Sequence, residues 1–298
     1  MKKIIRYLIY AAFLCAGFVV PFHALSDDAR ITIFHTSDLH DHSQNIPQIA
    51  RLIDDQKRTD PNVLFIDTGD WFNKGDLTVL ETRGEAIASL MSLCRYDAVI
   101  MGNHEYSFGA KRILELVNRY SLPLLAANCA WSSRIPSADV PARKIFRLDG
   151  ATVGVLGLAS HYTNHKIDDL VSVHYDIDRI RMMLDELDAQ VDILVLLTHV
   201  GGARDLELVE QLPRVDLILG GHDHHIYREM VYHEDVQTIL HHSGRNGECL
   251  GKIVLGWDGE SITRREASII DITPDMPADP RVQMRIHELK VRTPQLSR

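Results

Sequence analysis

The stretch ITIFHTSDLH, residues 31–40, joins an apolar run to a cluster of polar side chains. The apolar residues 31–34 predict a buried strand. The polar cluster that follows contains Asp38 and His40. Side chains two apart in a strand point to the same side, so this pair is suited to bind one cation together. The stretch therefore predicts a strand whose carboxyl end carries part of a functional site.

The same arrangement recurs along the chain. In layered α/β folds, ligands gather at the carboxyl ends of strands. A single His after a strand is more often structural, but five such strand ends in one chain indicate a shared site. The other four predicted strands are 63–66, followed by Asp70; 98–101, followed by Asn103 and His104; 193–197, followed by His199; and 217–219, followed by His222 and His224.

Helical periodicity between these strands indicates the fold class. Apolar spacing predicts helices at 46–57 and 79–93, an apolar run predicts a further strand at 122–127, and Asp149-Gly150 and Asp258-Gly259 mark later hairpins. Alternating strands and helices predict a layered α/β core. A chain of 298 residues with 45% hydrophobic content can bury such a core. We expect one catalytic domain at residues 27–273, and a polar C-terminal tail at 274–298 with a weak helical pattern.

The first 26 residues are typical of a secretory signal peptide. A basic start at 1–7 precedes an uncharged apolar run at 8–20, and Ala24-Leu25-Ser26 offers small residues for cleavage. An uncleaved membrane anchor is the alternative, although the apolar run is short for a span. We therefore predict an exported protein, periplasmic or secreted, without a stable membrane span after cleavage.

The charge balance limits the partners. The chain has 32 Lys and Arg against 41 Asp and Glu, for a formal net charge of −9. An acidic chain is poorly suited to bind a nucleic-acid backbone, so no nucleic-acid partner is expected. A small anionic substrate is still compatible, because bound metal ions supply positive charge locally.

The polar strand ends have the chemistry of a metal site. Carboxylate oxygen combined with imidazole nitrogen suits divalent Mn, Zn, Fe or Co. Two ions that share a carboxylate activate water and neutralise a phosphoryl group during in-line displacement. We expect His104, beside Asn103, to donate a proton to the leaving oxygen. The candidate ligands, too many for one tetrahedral ion, are Asp38, His40, Asp70, Asn103, His199, His222 and His224.

The order of these motifs resembles that of the calcineurin-like metallophosphoesterases. Residues 35–40, 102–105 and the SGRNGECLG stretch at 243–251 are similar to the catalytic domain of bacterial secreted 5′-nucleotidases. That group includes UDP-sugar hydrolases and thiosulfohydrolases. The resemblance covers about residues 30–273, and its ordered motifs are Asp38-x-His40, Gly69-Asp70, Gly102-Asn103-His104-Glu105, Thr198-His199 and Gly221-His222-Asp223-His224.

This resemblance implies a fold, a ligand set and a mechanism. The fold would be a four-layer α/β/β/α sandwich with two metal ions at the edge of the sheets. A metal-bound hydroxide would attack phosphorus, and His104 would act on the leaving group. Asp70 would bridge the ions, with Asp38, His40 and His224 on the first metal and Asn103, His199 and His222 on the second.

Two departures from the family pattern bear on the substrate. The 5′-nucleotidase group usually has an Asp three residues after the catalytic His, where it orients the imidazole, and this chain has Ser107. Full-length members also carry a C-terminal domain that stacks the nucleobase, and this chain ends about where that domain would begin. We therefore expect the usual nucleoside clamp to be missing.

The expected function is an exported binuclear-metal phosphoesterase acting on nucleotides, cyclic nucleotides or other small monoesters. One alternative is a sulfur-ester hydrolase that resembles the thiosulfohydrolases, and another is a non-catalytic binding module that has kept the metals. Asn103 and Arg245 are candidates to contact the substrate, with a surface salt bridge as the alternative for Arg245. Further candidates are His161, Tyr162 and His165 for substrate selection, Asp223 and His225 facing away from the ions, and His241-His242 near the site.

Overall fold

The structure is a computed structural model that describes residues 28–72, 79–135, 139–160 and 169–292. The predicted signal peptide and the substrate-selection candidates His161, Tyr162 and His165 lie outside the described residues. Within the described ranges, no helix has the length and apolar character needed to cross a membrane.

Two β-sheets form the centre of the molecule. The strands are β1 Ala29–Thr36, β2 Val63–Asp67, β3 Ala98–Val99, β4 Cys129–Trp131, β5 Arg143–Leu148, β6 Ala151–Gly157, β7 Val171–Val173, β8 Ile193–Leu197, β9 Leu217–Gly220, β10 Val231–His233, β11 Thr238–His242, β12 Cys249–Trp257 and β13 Ile262–Asp271. The first sheet has the strand order β13-β12-β1-β2-β3, and the second has the order β10-β11-β9-β8-β6-β5. A short pair, β4 and β7, stands apart from both.

Helices cover the outer face of each sheet. Ile33 of β1 and Val195 of β8 meet in the apolar layer between the sheets, whereas Phe34 faces a helical layer on the other side. Burial on both faces explains why these strands have continuous apolar runs. The predicted four-layer α/β/β/α sandwich is therefore confirmed. The helices are α1 Ile46–Thr59, α3 Glu85–Cys94, α4 Ala110–Tyr120 and α7 Pro280–Arg292 on the first sheet, and α5 Ile177–Asp188 and α6 Gly202–Gln211 on the second, with the short α2 Val79–Thr82 next to α3.

Two predicted elements differ from the structure. The helix predicted at 79–93 is interrupted, because Arg83 and Gly84 have φ angles of 50° and 80°. Such angles lie outside the helical region, so α2 ends before them and α3 begins after them. The strand predicted at 122–127 makes only an isolated bridge, between Leu124 and Val99.

The reason for the second difference is that residues 122–127 cross from one sheet to the other. Leu125 N donates to Val99 O beside the first sheet, at 2.9 Å. Two residues later, Ala127 N donates to Gly157 O at the end of β6, at 2.7 Å. A segment that divides its hydrogen bonds between two sheets cannot form a regular ladder in either of them.

The C-terminal segment, expected as a polar tail, packs on the domain core as far as it is described. Val282 and Leu289 of α7 are buried in the same apolar cluster as α1 and α3. Arg285 Nε donates to Ser89 Oγ of α3 at 3.1 Å. Only one face of α7 is apolar, as in an amphipathic surface helix, and this explains why its helical pattern in the sequence is weak.

Strand direction brings the polar strand ends together. β1, β2 and β3 run parallel in the first sheet, and β8 and β9 run parallel in the second. The polar segments that follow these strands therefore begin at the carboxyl ends of the strands, on the same side within each sheet.

Candidate metal centre

Left-handed backbone positions the predicted ligands. β1 ends at Thr36, so Asp38 and His40 lie in the loop beyond it, with φ angles of 53° and 47°. The pair reaches a common site, but the strand alternation used to predict this is wrong, because no strand continues there. Non-glycine residues rarely adopt such angles, and they persist where the surrounding structure holds them. The same conformation recurs at Asp70, His222 and His224.

Three predicted ligands form the first cluster. Asp38 Oδ1 lies 3.6 Å from His40 Nε2 and 3.4 Å from His224 Nε2. The two imidazole nitrogens are 3.1 Å apart. These ligand atoms all lie within 4.8 Å of one another, which is close enough for one ion to contact all three.

The other four ligands form the second cluster. Asp70 Oδ2 lies 3.1 Å from His199 Nε2, and Asn103 Oδ1 lies 2.8 Å from His222 Nδ1. Asp38 Oδ1 is 3.8 Å from His199 Nε2, which brings the two clusters together. The structure thus gathers all seven side chains that were predicted as ligands.

Hydrogen bonds orient two of the imidazoles toward the centre. Nδ1 of His40 lies 3.2 Å from Phe72 O, and Nδ1 of His199 lies 2.7 Å from Thr68 O. A carbonyl can only accept, so Nδ1 carries a proton in both rings and Nε2 is the nitrogen that faces the centre. Metal-binding histidines commonly make this contact to a carbonyl.

Unpartnered buried atoms support a cation in this position. Asp38 Oδ1 and His199 Nε2 are buried and make no hydrogen bond within the described part of the chain. Leaving such atoms without a partner is costly unless an ion or water satisfies them. The donor set of carboxylate, amide and imidazole therefore fits divalent cations.

The electrostatics of the centre also favour cations. Burial opposes the charged form of His199, yet Asp70 and Asp38 outweigh it and raise the pKa of His199 to about 10. Burial likewise opposes the charged form of Asp70, but His199 outweighs it and lowers the pKa of Asp70. Asp38 and Asp70 thus keep a proton on His199, and a bound metal ion would replace that proton.

His104 lies at the mouth of the centre. Its main-chain N donates to Asp70 Oδ1 at 2.8 Å, and its Nε2 lies 3.8 Å from Asp70 Oδ2. The side chain retains 14% exposure, which leaves the imidazole accessible to a ligand. Ser107 Oγ donates to the His104 carbonyl oxygen at 2.6 Å, so its hydroxyl bonds the main chain and does not replace the missing carboxylate beside the ring.

Arg245 lies on the rim of the centre. Its exposed guanidinium approaches His224, with Nη1 3.3 Å from Nδ1. The main chain beside it is anchored, because Asn246 N donates to Asp38 O at 2.8 Å. No carboxylate among the described residues lies within ion-pair distance of Arg245, so the alternative of a surface salt bridge finds no support there.

Sequence reasoning missed the role of Glu105. Its buried carboxylate accepts four main-chain N–H groups, which belong to Gly102 (2.6 Å) and to Asp70, Trp71 and Phe72 (3.0, 2.8 and 3.1 Å). One side chain thereby holds the Asp70 loop against the Asn103 loop. The Gly-Asn-His-Glu motif contained this residue, but the local sequence does not show which amides it would meet.

The remaining histidine candidates lie outside the two ligand clusters. His241 Nδ1 lies 2.8 Å from His35 Nε2, and His242 faces Asp205 and Asp223. His225 is exposed, with Nδ1 3.1 Å from Asp223 Oδ2.

Comparison with protein families identifies the chain. Residues 31–225 match the model of the calcineurin-like phosphoesterases. The chain belongs to the calcineurin-like phosphoesterase family. The matched range contains every candidate ligand from Asp38 to His224. The predicted resemblance is confirmed, as is the prediction of a hydrolase class that acts on phosphate esters.

Individual relatives include nucleotide-cleaving proteins. The chain is 26% identical over 282 residues to the trifunctional nucleotide phosphoesterase protein YfkN of Bacillus subtilis, covering 82% of this chain and 19% of that protein. It is 27% identical over 219 residues to human 5′-nucleotidase, covering 65% of this chain and 38% of that protein. The chain thus spans well under half the length of these two curated relatives.

A solved structure shares the fold. The 5′-nucleotidase precursor of Thermus thermophilus superposes with a TM-score of 0.77 at 22% identity, covering 90% of this chain and 59% of that chain. At this identity the similarity supports the shared fold.

Proposed function

We propose that this chain is an exported binuclear-metal phosphoesterase that hydrolyses small phosphate esters, namely nucleotides, cyclic nucleotides or other monoesters. One observation carries the proposal: seven potential ligands from five loops converge in two adjoining clusters, in which Asp38 Oδ1 and His199 Nε2 are buried without a hydrogen bond from the described residues. Export is supported by the signal-like pattern of the first 26 residues.

The ligand assignment follows the two clusters. Asp38, His40 and His224 would hold one ion, and Asn103, His199 and His222 the other. Asp70 would be shared, since its carboxylate lies beside His199 and also forms a close group with His40 and His104. The ions would be Mn, Zn, Fe or Co, which suit oxygen and imidazole ligands.

The reaction would use the residues at the mouth of the centre. Divalent ions, when bound, supply an activated water and neutralise charge on phosphate oxygens. His104 would donate a proton to the ester oxygen as the bond between phosphorus and that oxygen breaks, so that the product leaves as a neutral alcohol. Arg245 would pair with a substrate oxygen through a charge-assisted hydrogen bond. No covalent bond between enzyme and phosphate is required.

Nucleotides are the first substrates to examine. Relatives named as a nucleotide phosphoesterase and as 5′-nucleotidases support this class. Because the chain matches only part of each of those proteins, their substrates do not transfer to it directly. The substrate class is therefore proposed from the site of this chain.

The test combines metal analysis with a substrate panel. Purified protein would be assayed for bound metals by elemental analysis, and for hydrolysis of nitrophenyl phosphate, its bis-ester and nucleotides with added Mn²⁺. We expect about two metal equivalents per chain, since the clusters adjoin. We expect His104→Ala to keep the metals and lose about 10²–10⁴-fold in kcat.

Other outcomes would identify the alternatives. Two bound metals with hydrolysis restricted to a sulfur ester would support the thiosulfohydrolase-like reaction. Equal ligand affinity in wild type and His104→Ala, without turnover in either, would support a binding module. A protein that binds no metal would contradict all three functions.

A further inference from the structure

A buried series of polar contacts begins next to His199. Asp205 lies in the first turn of α6 and is fully buried. Its Oδ1 accepts a hydrogen bond from Thr198 Oγ1 at 2.7 Å, and Thr198 directly precedes His199. The other oxygen, Oδ2, lies 2.8 Å from His242 Nε2. Asp205 therefore connects the His199 segment to the end of β11.

The series continues to the loop that carries His222 and His224. His242 Nδ1 lies 3.3 Å from Asp223 Oδ1, and Asp223 stands between those two histidines in sequence. The second oxygen of Asp223 accepts a hydrogen bond from Gly202 N at 2.6 Å. Gly202 begins α6, the helix that also carries Asp205. The contacts thus form a closed ring that includes the start of α6.

The charges in this ring reinforce one another. Burial alone would lower the pKa of His242, but its contacts with Asp205 and Asp223 outweigh burial and raise the pKa to about 9. A protonated imidazole between two carboxylates makes a charge-assisted hydrogen bond to Asp205, which is stronger than a neutral one, and an ion pair with Asp223. Removal of one partner would leave another charge buried without compensation, which is strongly destabilising.

The ring also packs directly against the strand that leads into the ligand loop. A Cβ atom at Gly220, the last residue of β9, would collide with the side chains of Asp205 and His242. Neither Asp205 nor His242 makes a hydrogen bond or ion pair with any of the seven candidate ligands in the described part of the chain. Their contact with the centre is indirect, through Thr198 and Asp223.

We propose that Asp205 and His242 are positioning residues that hold the His199 segment and the His222–His224 loop in register for metal binding. This inference rests on the proposed function for the metals. Main-chain hydrogen bonds join the two segments at their bases, from Thr198 N to Leu219 O and from Gly201 N to Gly221 O, both at 3.0 Å. The ring adds a second attachment, which holds both segments to the start of α6.

The first experiment measures the loops without metal. Amide hydrogen exchange in the metal-free protein would compare wild type, Asp205→Asn and Asp216→Asn. The matched control Asp216 accepts a hydrogen bond from Leu194 N at 2.8 Å, just before β9 and away from the ligand loops. We expect exchange over residues 198–202 and 220–225 to rise about tenfold in Asp205→Asn only. Equal exchange in Asp205→Asn and wild type would overturn the proposal.

The second experiment measures Mn²⁺ affinity by titration calorimetry. Loss of groups that orient metal ligands typically weakens affinity 10–100-fold, and we expect this range for Asp205→Asn and a change under about twofold for Asp216→Asn. If Asp205→Asn does not fold, His242→Gln takes its place, because it keeps an N–H toward Asp205 and loses the one toward Asp223. It should loosen residues 220–225 and leave 198–202 protected.

The outcomes separate this inference from the proposed function. A wild type that binds no Mn²⁺ contradicts the metal centre, whatever the exchange data show, and with it the role proposed for the ring. A wild type that binds Mn²⁺, together with variants of unchanged affinity and unchanged exchange, contradicts the positioning role alone.

Discussion

The two sheets hold their shares of the candidate metal centre with different side-chain contacts. The first-sheet half consists of Asp38, His40, Asp70, Asn103 and His104, and the second-sheet half consists of His199, His222 and His224. In the first-sheet half, main-chain hydrogen bonds continue beyond the strands, with Asp38 N donating to Gly69 O at 2.9 Å and His40 N donating to Asp70 O at 3.0 Å. Main-chain hydrogen bonds also continue in the second-sheet half, where Gly201 N donates to Gly221 O at 3.0 Å, but there the charged side chains of Asp205, His242 and Asp223 add further contacts to the loops.

This difference has consequences for stability and for pH. The first-sheet half depends on the Glu105 carboxylate, which accepts hydrogen bonds from four backbone amides, but burial raises the pKa of Glu105 to about 8, so its hold weakens as the pH falls. The second-sheet half depends on a protonated His242, so its hold weakens when that imidazole loses its proton. We therefore expect the first-sheet half and the second-sheet half to respond differently to pH and to substitution.

The largest effect is expected where the halves meet. Asp70 belongs to the first-sheet half but lies 3.1 Å from His199. Asp70→Asn removes the negative charge proposed to bridge both ions. We expect hydrolysis to fall by about 10³-fold, since an ion supplies several kcal/mol of transition-state stabilisation. Elemental analysis should show at most one metal per chain. Two retained metals with wild-type kcat would exclude Asp70 as the shared ligand.

A change of the Glu105 side chain tests the first-sheet half. Glu105→Gln replaces one acceptor oxygen with an NH₂ group that faces amide donors. Two amides then lose their partner, so the free energy of unfolding should fall by about 3 kcal/mol in urea titrations of the metal-free protein.

The control for that experiment is Glu115→Gln on α4. Glu115 makes surface ion pairs with Arg112 and Arg119, and exposed pairs contribute under about 1 kcal/mol. If Glu105→Gln and Glu115→Gln lose the same free energy of unfolding, Glu105 stabilises the fold no more than an exposed ion pair does.

The pH dependence of stability tests the second-sheet half. The pKa of His242 is raised from 6.5 to about 9 in the folded state. A raised pKa contributes stability that is present in full below pH 6.5 and is lost as the pH rises through 9. The free-energy difference between wild type and His242→Gln should therefore shrink by on the order of 3 kcal/mol from pH 6 to pH 10. A constant difference would mean that His242 is not charged in the folded protein.

The smallest effect is expected at Arg245, where the chain crosses from the second sheet to the first. Arg245→Ala should raise KM by about tenfold with little change in kcat, because one charge-assisted hydrogen bond contributes about 1.4 kcal/mol. Steady-state kinetics with the best ester would measure this. Arg228→Ala is the control, since Arg228 pairs with Asp271 on the surface. A KM shift of equal size in the control would remove Arg245 from the substrate site.

The strands and the ligand chemistry were readable from the sequence because each depends on short-range patterns. The apolar runs before Asp38 and His199 predicted strands that are buried on both faces, as the structure confirms. The interruption at Arg83 was not readable, since the helical spacing continues through a residue with left-handed backbone. The crossing at 122–127 was missed because an extended apolar segment has the same pattern whether one sheet or two provide its hydrogen bonds.

The amino-acid sequence by itself determined which chemical groups are present, their order, and the family to which the chain belongs. These properties follow from residue identity and spacing along the chain. Only the tertiary structure decided that the Glu105 carboxylate accepts hydrogen bonds from the amides of the Asp70 loop. It also decided that His242 lies between Asp205 and Asp223, both of which are 19 or more positions from His242 in the sequence. Burial and long-range contacts control the charge of such groups, and both exist only once the two sheets have packed together.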